Sequence, residues 1–461
     1  MRFRKKQPQN TDELHRCFFF KRGVFNISSL WYNGKSDLKE VTKMQEIRKE
    51  QYPKFKECMD YLTAGGVSNF DGMRLMLQAD GTVFATKLDT DLKKLKEEDI
   101  EILDMKRLPL PKKGKNAMIF SQTFYCQKCL AEANPFAASL DDMAQIIGPA
   151  VYVADGRTAD RSSGKSLKKA LKKANGCLVL RAVDSKGKGV GYTLAVGRDL
   201  REAAIATLVM EKAAMAEIKA KKLGGSRPLD KKLALTMQKN YEKNYSRQHK
   251  VETMDESTAI PDKENELREQ LASFGKRLVS EKLVQGTWGN LSVRLDEKTM
   301  LVTPSGIDYV LLEGKDMVKV NIETLEAEGA NRPTSELELH AMIYRDKPDT
   351  GAIVHAHSEY ASVFACACRG IEVSQKEEKA RKVFGPFIAV SEYALAGTHQ
   401  IALNTVRAIG DRNAAVMKHH GMAVCGSDMK NAFENAILFE ETARIAWYEY
   451  DKEAEEEEIE E

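Results

Sequence analysis

The chain has 461 residues and a formal net charge of only +3 although 30% of its residues are charged, so no global field favours nucleic acid as a partner, and the length suits two or three domains with sizeable cores. No run approaches the roughly 18 apolar residues of a membrane span, and the basic residues 1–6 lead into Gln7-Pro8-Gln9-Asn10 without an apolar core, which argues against a secretory signal. Eight cysteines, at 17, 58, 126, 129, 177, 366, 368 and 425, are too sparse for a disulfide framework and predict a reducing, cytoplasmic setting.

Residues 1–35 read as an irregular basic and aromatic extension. Helical spacing over 37–62 stops at Thr63-Ala64-Gly65-Gly66, and a hairpin over 72–86 follows, with Asp80-Gly81 as its turn. Segments 95–105 and 116–125, a turn at Gly148-Pro149, strands over 150–154 and 177–183, a helix over 166–173 and an alanine-rich helix over 200–222 complete a first region, 36–222. Residues 223–262, rich in Lys, Asn, Gln and Ser, read as a linker with room for a helix.

The order then restarts in a second region, 263–450: an amphipathic helix over 264–283, a hairpin over 290–303, a strand over 351–357, a turn at Gly385-Pro386, a strand over 387–390, a helix over 400–409, a strand over 414–418 and a long helix over 429–450. Residues 148–154 match 385–390, and 117–122 match 352–357, a period of about 235 residues that fits tandem domains. Strands mixed with helices predict an α/β or α+β layer structure. Residues 451–461 read as a solvated acidic tail.

Six of the eight histidines lie between Pro333 and His420. The apolar lead-in Gly351-Ala352-Ile353-Val354 puts His355 and His357 on a buried strand, where positions i and i+2 share a face and two imidazoles can meet one ion. The apolar run 414–417 delivers His419 or His420 as a third. Three imidazoles with an open position suit a catalytic rather than a structural zinc site. Any one histidine alone is more often a hydrogen-bonded core or surface residue; the clustering is what favours a metal. The glycine-punctuated turns Gln285-Gly286-Thr287-Trp288-Gly289-Asn290-Leu291-Ser292 and Thr303-Pro304-Ser305-Gly306 leave amides and hydroxyls free for an anion. Pro333-Thr334-Ser335-Glu336 adds hydroxyls and a carboxylate at a helix start, and His340, one turn on, reads as a packing residue. Cys126-Gln127-Lys128-Cys129 stands without a second pair, and Ser163-Gly164-Lys165-Ser166 lacks the earlier glycine of a nucleotide loop because position 159 is alanine.

In this order and spacing, G-T-x-G-N-x-S, T-P-S-G, P-T-S-E, V-H-A-H and H-H-G resemble the class II aldolase/adducin family, strongly over 263–450 and as a degraded echo over 36–222. The resemblance implies a three-layer α/β/α fold in two tandem copies. It implies that His355, His357 and His420 bind a divalent metal, Zn2+ first and Mn2+ or Co2+ next, that Asn290, Ser305, Gly306, Thr334 and Ser335 hold a substrate phosphate, and that Glu336 is the general acid/base. The activity implied is a metal-dependent carbon–carbon lyase on a small phosphorylated sugar or ketose through a metal-stabilised enediolate. Epimerase, dehydratase or decarboxylase chemistry, or an adducin-like non-catalytic role, are alternatives. A homodimer imitating the family's four-domain ring is the implied assembly. The first copy has lost the site, with Phe120 and Gln122 in place of His355 and His357, Ala182 near the place of His420, and Asn69 opposite Asn290. The family's aldolases take a tyrosine proton donor from a neighbouring subunit, in the segment after the His-x-His strand. Here that segment reads Ser374-Gln375-Lys376-Glu377, which tells against a fuculose-type cleavage; either Tyr125 or Tyr152 of the first copy substitutes, or the first copy only completes the assembly and buries apolar surface.

Overall fold

A computed structural model describes residues 38–88, 90–103, 108, 110, 112, 114–157, 161–245, 261–284, 288–329 and 331–460. The extension 1–35 and the Gln285-Gly286-Thr287 part of the first glycine turn therefore lie outside the described residues. The chain forms two compact units, residues 1–63, 67–135 and 152–207 in the first, and 64–66, 136–151 and 208–461 in the second.

The strands of the first half are β1 (Arg74–Ala79), β2 (Thr82–Thr86), β3 (Ile100–Leu103), β4 (Ala117–Ser121), β5 (Phe136–Ala137), β6 (Ala150–Asp155), β7 (Gly176–Val183) and β8 (Gly189–Gly197). The first unit is built on the order β3-β2-β1-β4-β8-β7-β6. Its hairpin turns at Asp80 and Gly81, both with positive φ, the backbone that an Asp-Gly pair supplies.

The second half contributes β9 (Asn290–Arg294), β10 (Thr299–Val302), β11 (Val318–Asn321), β12 (Ala327–Glu328), β13 (Ala352–Ala356), β14 (Ile371–Glu372), β15 (Phe387–Ile388), β16 (Ala414–Met417) and β17 (Gly421–Gly426). Their antiparallel sheet runs β12-β11-β10-β9-β13-β17-β16, with β14 and β15 paired apart from it. The central strand β13 is buried at every position. Alternation sends Ile353 and His355 to one face, where Ile353 joins Met300, Val302, Ile343, Tyr344 and Ile401 in one core beneath the helices Leu337–Asp346 and His399–Ile409. The helices Asp262–Ser280 and Met429–Glu460 meet through Phe274 and Phe433, ring centroids 5.0 Å apart. The architecture is mixed α/β, as the sequence predicts.

The unit boundaries differ from those expected at 36–222, 223–262 and 263–450. Segment 136–151 belongs to the second unit because its backbone bonds there: Leu229 N–H donates to Ala138 O at 2.8 Å, the Gln238 amide to Ile147 O at 2.9 Å, and Asp141 N–H to His419 O at 2.8 Å. The front of the expected linker is a packed helix, Lys231–Asn240, which buries Ala234, Met237 and Gln238; its polar composition describes only its outer face. The rest, 246–260, lies outside the described residues. The last helix continues to Glu460 through the segment expected as a tail.

Ile353→Ala leaves a hole at the centre of this core and should cost about 2–5 kcal/mol in urea denaturation, while Ile353→Val should cost about 0.5–1.5 kcal/mol.

Candidate metal centre

Strand β13 delivers His355, and the chain carries His357 one residue past the strand end. Their Nε2 atoms stand 3.0 Å apart. The turn between β16 and β17 brings in His420, whose ring centroid lies 4.9 Å from that of His355 and 4.6 Å from that of His357. Gly421 permits this approach, since a Cβ there would sit 2.3 Å from Ala356 O. His419 takes φ +60 and turns away, its Nδ1 donating to Ser139 O at 3.0 Å. Of the two neighbours, His420 is thus the one that joins the cluster.

The carboxylate of Glu336, at the start of the helix Leu337–Asp346, lies among the imidazoles, 2.9 Å from His355 Nε2 and 3.0 Å from His420 Nε2. The Asn290 Nδ2 donates to Glu336 Oε2 at 3.0 Å. All five side chains are buried.

The outer nitrogens decide which ring atoms face inward. His355 Nδ1 lies 2.8 Å from Met422 O, and a carbonyl only accepts, so Nδ1 carries a proton and Nε2 is the ring atom that faces inward, where it would meet a cation. His420 Nδ1 meets Asp141 Oδ2 at 2.9 Å, and Asp142 Oδ2 lies 3.6 Å from His357 Nδ1. A cation about 2.0–2.1 Å from each nitrogen in tetrahedral geometry spaces them roughly 3.3 Å apart, close to the 3.0 Å between His355 Nε2 and His357 Nε2. Among the described residues these histidines form the one grouping of metal-type ligands, their atoms within 4.8 Å of one another. The donor set fits a divalent cation with imidazole preference.

Burial, reinforced by His420 and His355, pushes the His357 imidazole down to about 3 against the pull of Asp142. Burial works on His420 in the same direction, but Glu336 and Asp141 on either side raise it to about 10. Glu336 is held well below the carboxylate range because His355 and His420 outweigh its burial, whereas burial prevails at Asp141 and raises it. Two carboxylates around three imidazoles make a place that favours positive charge.

The two hydroxyl-bearing loops run side by side. Pro304 bridges Pro333, Ser305 N–H donates to Arg332 O at 2.8 Å, and Thr334 N–H donates to Thr303 O at 3.1 Å. Ser305, Gly306, Thr334 and Ser335 thereby come to one rim beside Glu336, with Ser335 and Gly306 exposed and open space where a Gly306 Cβ would stand. Asn290, expected in phosphate binding, bonds Glu336 through its amide nitrogen and His340 Nε2 through its amide oxygen. His340 is a buried packing residue as expected, held neutral by burial, which pushes it down to about 3.

Sequence reasoning missed Asp141, Asp142, Lys212 and Tyr393. Tyr393 OH donates to Asp141 Oδ1 at 3.0 Å, and Lys212 pairs with Asp142. The tyrosines expected near the site, Tyr125 and Tyr152, lie in the first unit; the tyrosine tied to the histidine cluster is Tyr393, through Asp141. No spacing rule links these residues to the histidines. The pair Cys126 and Cys129 is buried along the helix Phe124–Ala131.

The family pattern described as Class II Aldolase and Adducin N-terminal domain matches residues 269–447. The chain is 32% identical over 179 residues to a 5-deoxy-D-ribulose 1-phosphate aldolase of Bacillus thuringiensis serovar kurstaki, covering 39% of this chain and 83% of that protein. It is 34% identical over 181 residues to a 5-methylthioribulose-1-phosphate/5-deoxyribulose-1-phosphate aldolase of Rhodospirillum rubrum, covering 39% and 80%. A solved L-fuculose 1-phosphate aldolase is 33% identical with a TM-score of 0.37, covering 42% of this chain and 86% of its own.

His340 sets a pH dependence. Between its ordinary 6.5 and about 3 the unfolded chain binds a proton that the folded chain does not, so stability should fall as pH drops through that window, by at most about 1.4 kcal/mol per unit from this group. Denaturation of wild type and His340→Gln across that range should give a flatter profile for the variant.

Proposed function

The chain belongs to the class II aldolase and adducin family, and from that premise we propose that its second half is a metal-dependent carbon–carbon lyase of the aldolase type acting on a small phosphorylated sugar or ketose. The observation that carries this reading is the meeting of His355, His357 and His420 with the Glu336 carboxylate beside a rim of hydroxyls. His355, His357 and His420 would hold the cation, Zn2+ first, with Mn2+ or Co2+ as alternatives. When bound, it supplies Lewis acidity for the negative charge that develops on a sugar carbonyl oxygen.

The chain's own groups supply the rest. Ser305, Ser335 and Thr334 offer hydroxyls and Gly306 an unobstructed backbone, which suits them to a phosphate. Anchoring the substrate there fixes its carbonyl end near Glu336, the orientation on which rate depends. Glu336 moves the proton at the carbon next to the carbonyl: in the cleavage direction the hydroxyl on the far carbon gives up its proton as that carbon leaves as an aldehyde, the carbon–carbon electron pair flows towards the carbonyl, and Glu336 delivers that proton to the carbon next to the carbonyl to complete the ketone. Asn290 steadies the carboxylate by donating to Oε2.

The first half reads as a degraded second copy of the same domain. Support comes from the shared strand order, from the bond that Leu75 N–H makes to Thr86 Oγ1 at 3.2 Å and Leu291 N–H makes to Thr303 Oγ1 at 3.2 Å, and from the matching turns in which Lys96 N–H meets Asp99 and Glu313 N–H meets Asp316, both at 2.9 Å. Arg74 pairs with Phe120 as Asn290 pairs with His355, which favours Arg74 over Asn69 as the counterpart of Asn290. Counted forward from Cys177 and Ala415, the partners of Leu194 and Ala423, Ala182 falls at the place of His420; counted back along β8 and β17, Gly191 does, the hairpin of the first half being longer. A two-copy chain would complete a four-domain ring as a homodimer.

Elemental analysis of purified protein should give close to one divalent metal per chain, falling to background in His355→Ala; a value near two would overturn the assignment. In a screen of sugar phosphates for carbonyl release, Glu336→Gln should lower turnover by roughly two to four orders of magnitude with its metal retained.

A further inference from the structure

Each buried imidazole of the cluster has an outer nitrogen to satisfy, and the groups nearest two of the three, Asp141 at 2.9 Å from His420 Nδ1 and Asp142 at 3.6 Å from His357 Nδ1, come from a segment far ahead of residues 269–447. Asp141 and Asp142 open the helix Asp141–Ile146, and both are fully buried. We infer that they complete the metal centre as positioning residues, Asp141 for His420 and Asp142 for His357, so that the site cannot be built from the family-matched residues alone. This rests on the proposed metal site.

Three contacts pin the segment to the histidine turn: Asp141 N–H to His419 O at 2.8 Å, His419 Nδ1 to Ser139 O at 3.0 Å, and Asp141 Oδ2 to His420 Nδ1 at 2.9 Å. The last is a charge-assisted bond that fixes a proton on Nδ1 and leaves Nε2 as the inward atom that would meet a cation, the arrangement that raises a ligand's basicity. Tyr393 OH fixes the other oxygen of Asp141 at 3.0 Å. Asp142 is held differently. Lys212 pairs with it and its Oδ1 accepts from Met143 N–H at 2.7 Å, which leaves His357 Nδ1 at 3.6 Å from Oδ2. Among the described residues Asp141 has no cation beside it except the histidines, and it bonds one directly, so it exerts the stronger pull.

The test uses the full-length protein. Zn2+ affinity is measured by competition with a chromophoric chelator, and the visible absorption of the Co2+-loaded protein reports the ligand field. Asp141→Asn keeps the shape and should weaken Zn2+ binding about 10–100-fold with shifted Co2+ bands; Asp141→Glu should recover part of both. Removing Asp142 alone would strand the Lys212 charge, so its test is the double change Asp142→Asn with Lys212→Met, which should weaken binding less than Asp141→Asn. Wild-type affinity and an unchanged Co2+ spectrum in soluble Asp141→Asn would overturn the inference. Should Asp141→Asn not fold, the double variant decides, and wild-type affinity and spectrum there would overturn it equally. Failure of the wild-type protein itself to bind metal would instead remove the proposed function on which this rests.

Discussion

Burying three imidazoles and a glutamate side by side costs free energy unless each of their polar atoms finds a partner. Much of the second unit follows from meeting that demand. Met422 O serves His355 from the neighbouring strand β17, Asp141 serves His420, and Glu336 draws Asn290. The strand pairing that sets Asn290 opposite His355 and Ala423 on its other side is therefore more than packing: it brings the acceptors to the rings. Glycine at 421 belongs to the same requirement, because any side chain there would push the His420 turn off the end of β13.

How far this was legible depends on whether the information is local. His355 and His357 could be read because strand alternation is a two-residue rule, and the apolar residues ahead of them mark a buried strand. Ser305, Gly306, Thr334 and Ser335 could be read because turn chemistry is local too, although the Pro304 to Pro333 bridge that sets the loops side by side could not. Asp141 and Asp142 carry no such mark; in sequence they are two acids at the front of a short helix. In segment 223–245 a helix was legible but its packing was not, for a related reason: Leu229, Ala234 and Met237 are buried, yet they sit among enough Lys and Asn to hide a narrow apolar stripe.

The comparison of the halves separates fold from chemistry. A strand order and its turn hydrogen bonds depend on backbone geometry and a few side chains such as Thr86 and Thr303, and these persist in both halves. The polar site does not: Phe120 packs its ring edge-on against Tyr192, centroids 5.3 Å apart, at the register of His355, and Arg74 forms an ion pair with Glu101 at the register of Asn290. An apolar ring at the register of His355 carries none of the burial cost described above.

The orientation of the groups behind Glu336 can be deduced from its charge. An ionised carboxylate only accepts, so Asn290 must present Nδ2 to Oε2 and turn Oδ1 towards His340. An amide oxygen also only accepts, which puts the His340 proton on Nε2 and makes its Nδ1 the acceptor for Ser292 Oγ at 2.6 Å. Ser292, having donated, takes the hydroxyl proton of Tyr344 at 2.9 Å. From Tyr344 through Ser292, His340 and Asn290, every donor points the same way and ends on Glu336. Reversing a single link would set donor against donor or acceptor against acceptor, so the direction of the chain of bonds is set by a Glu336 Oε2 that accepts, as it does in the ionised carboxylate. Hydrogen bonds aligned in this sense polarise one another, and their common end is the one carboxylate that also faces the three imidazoles.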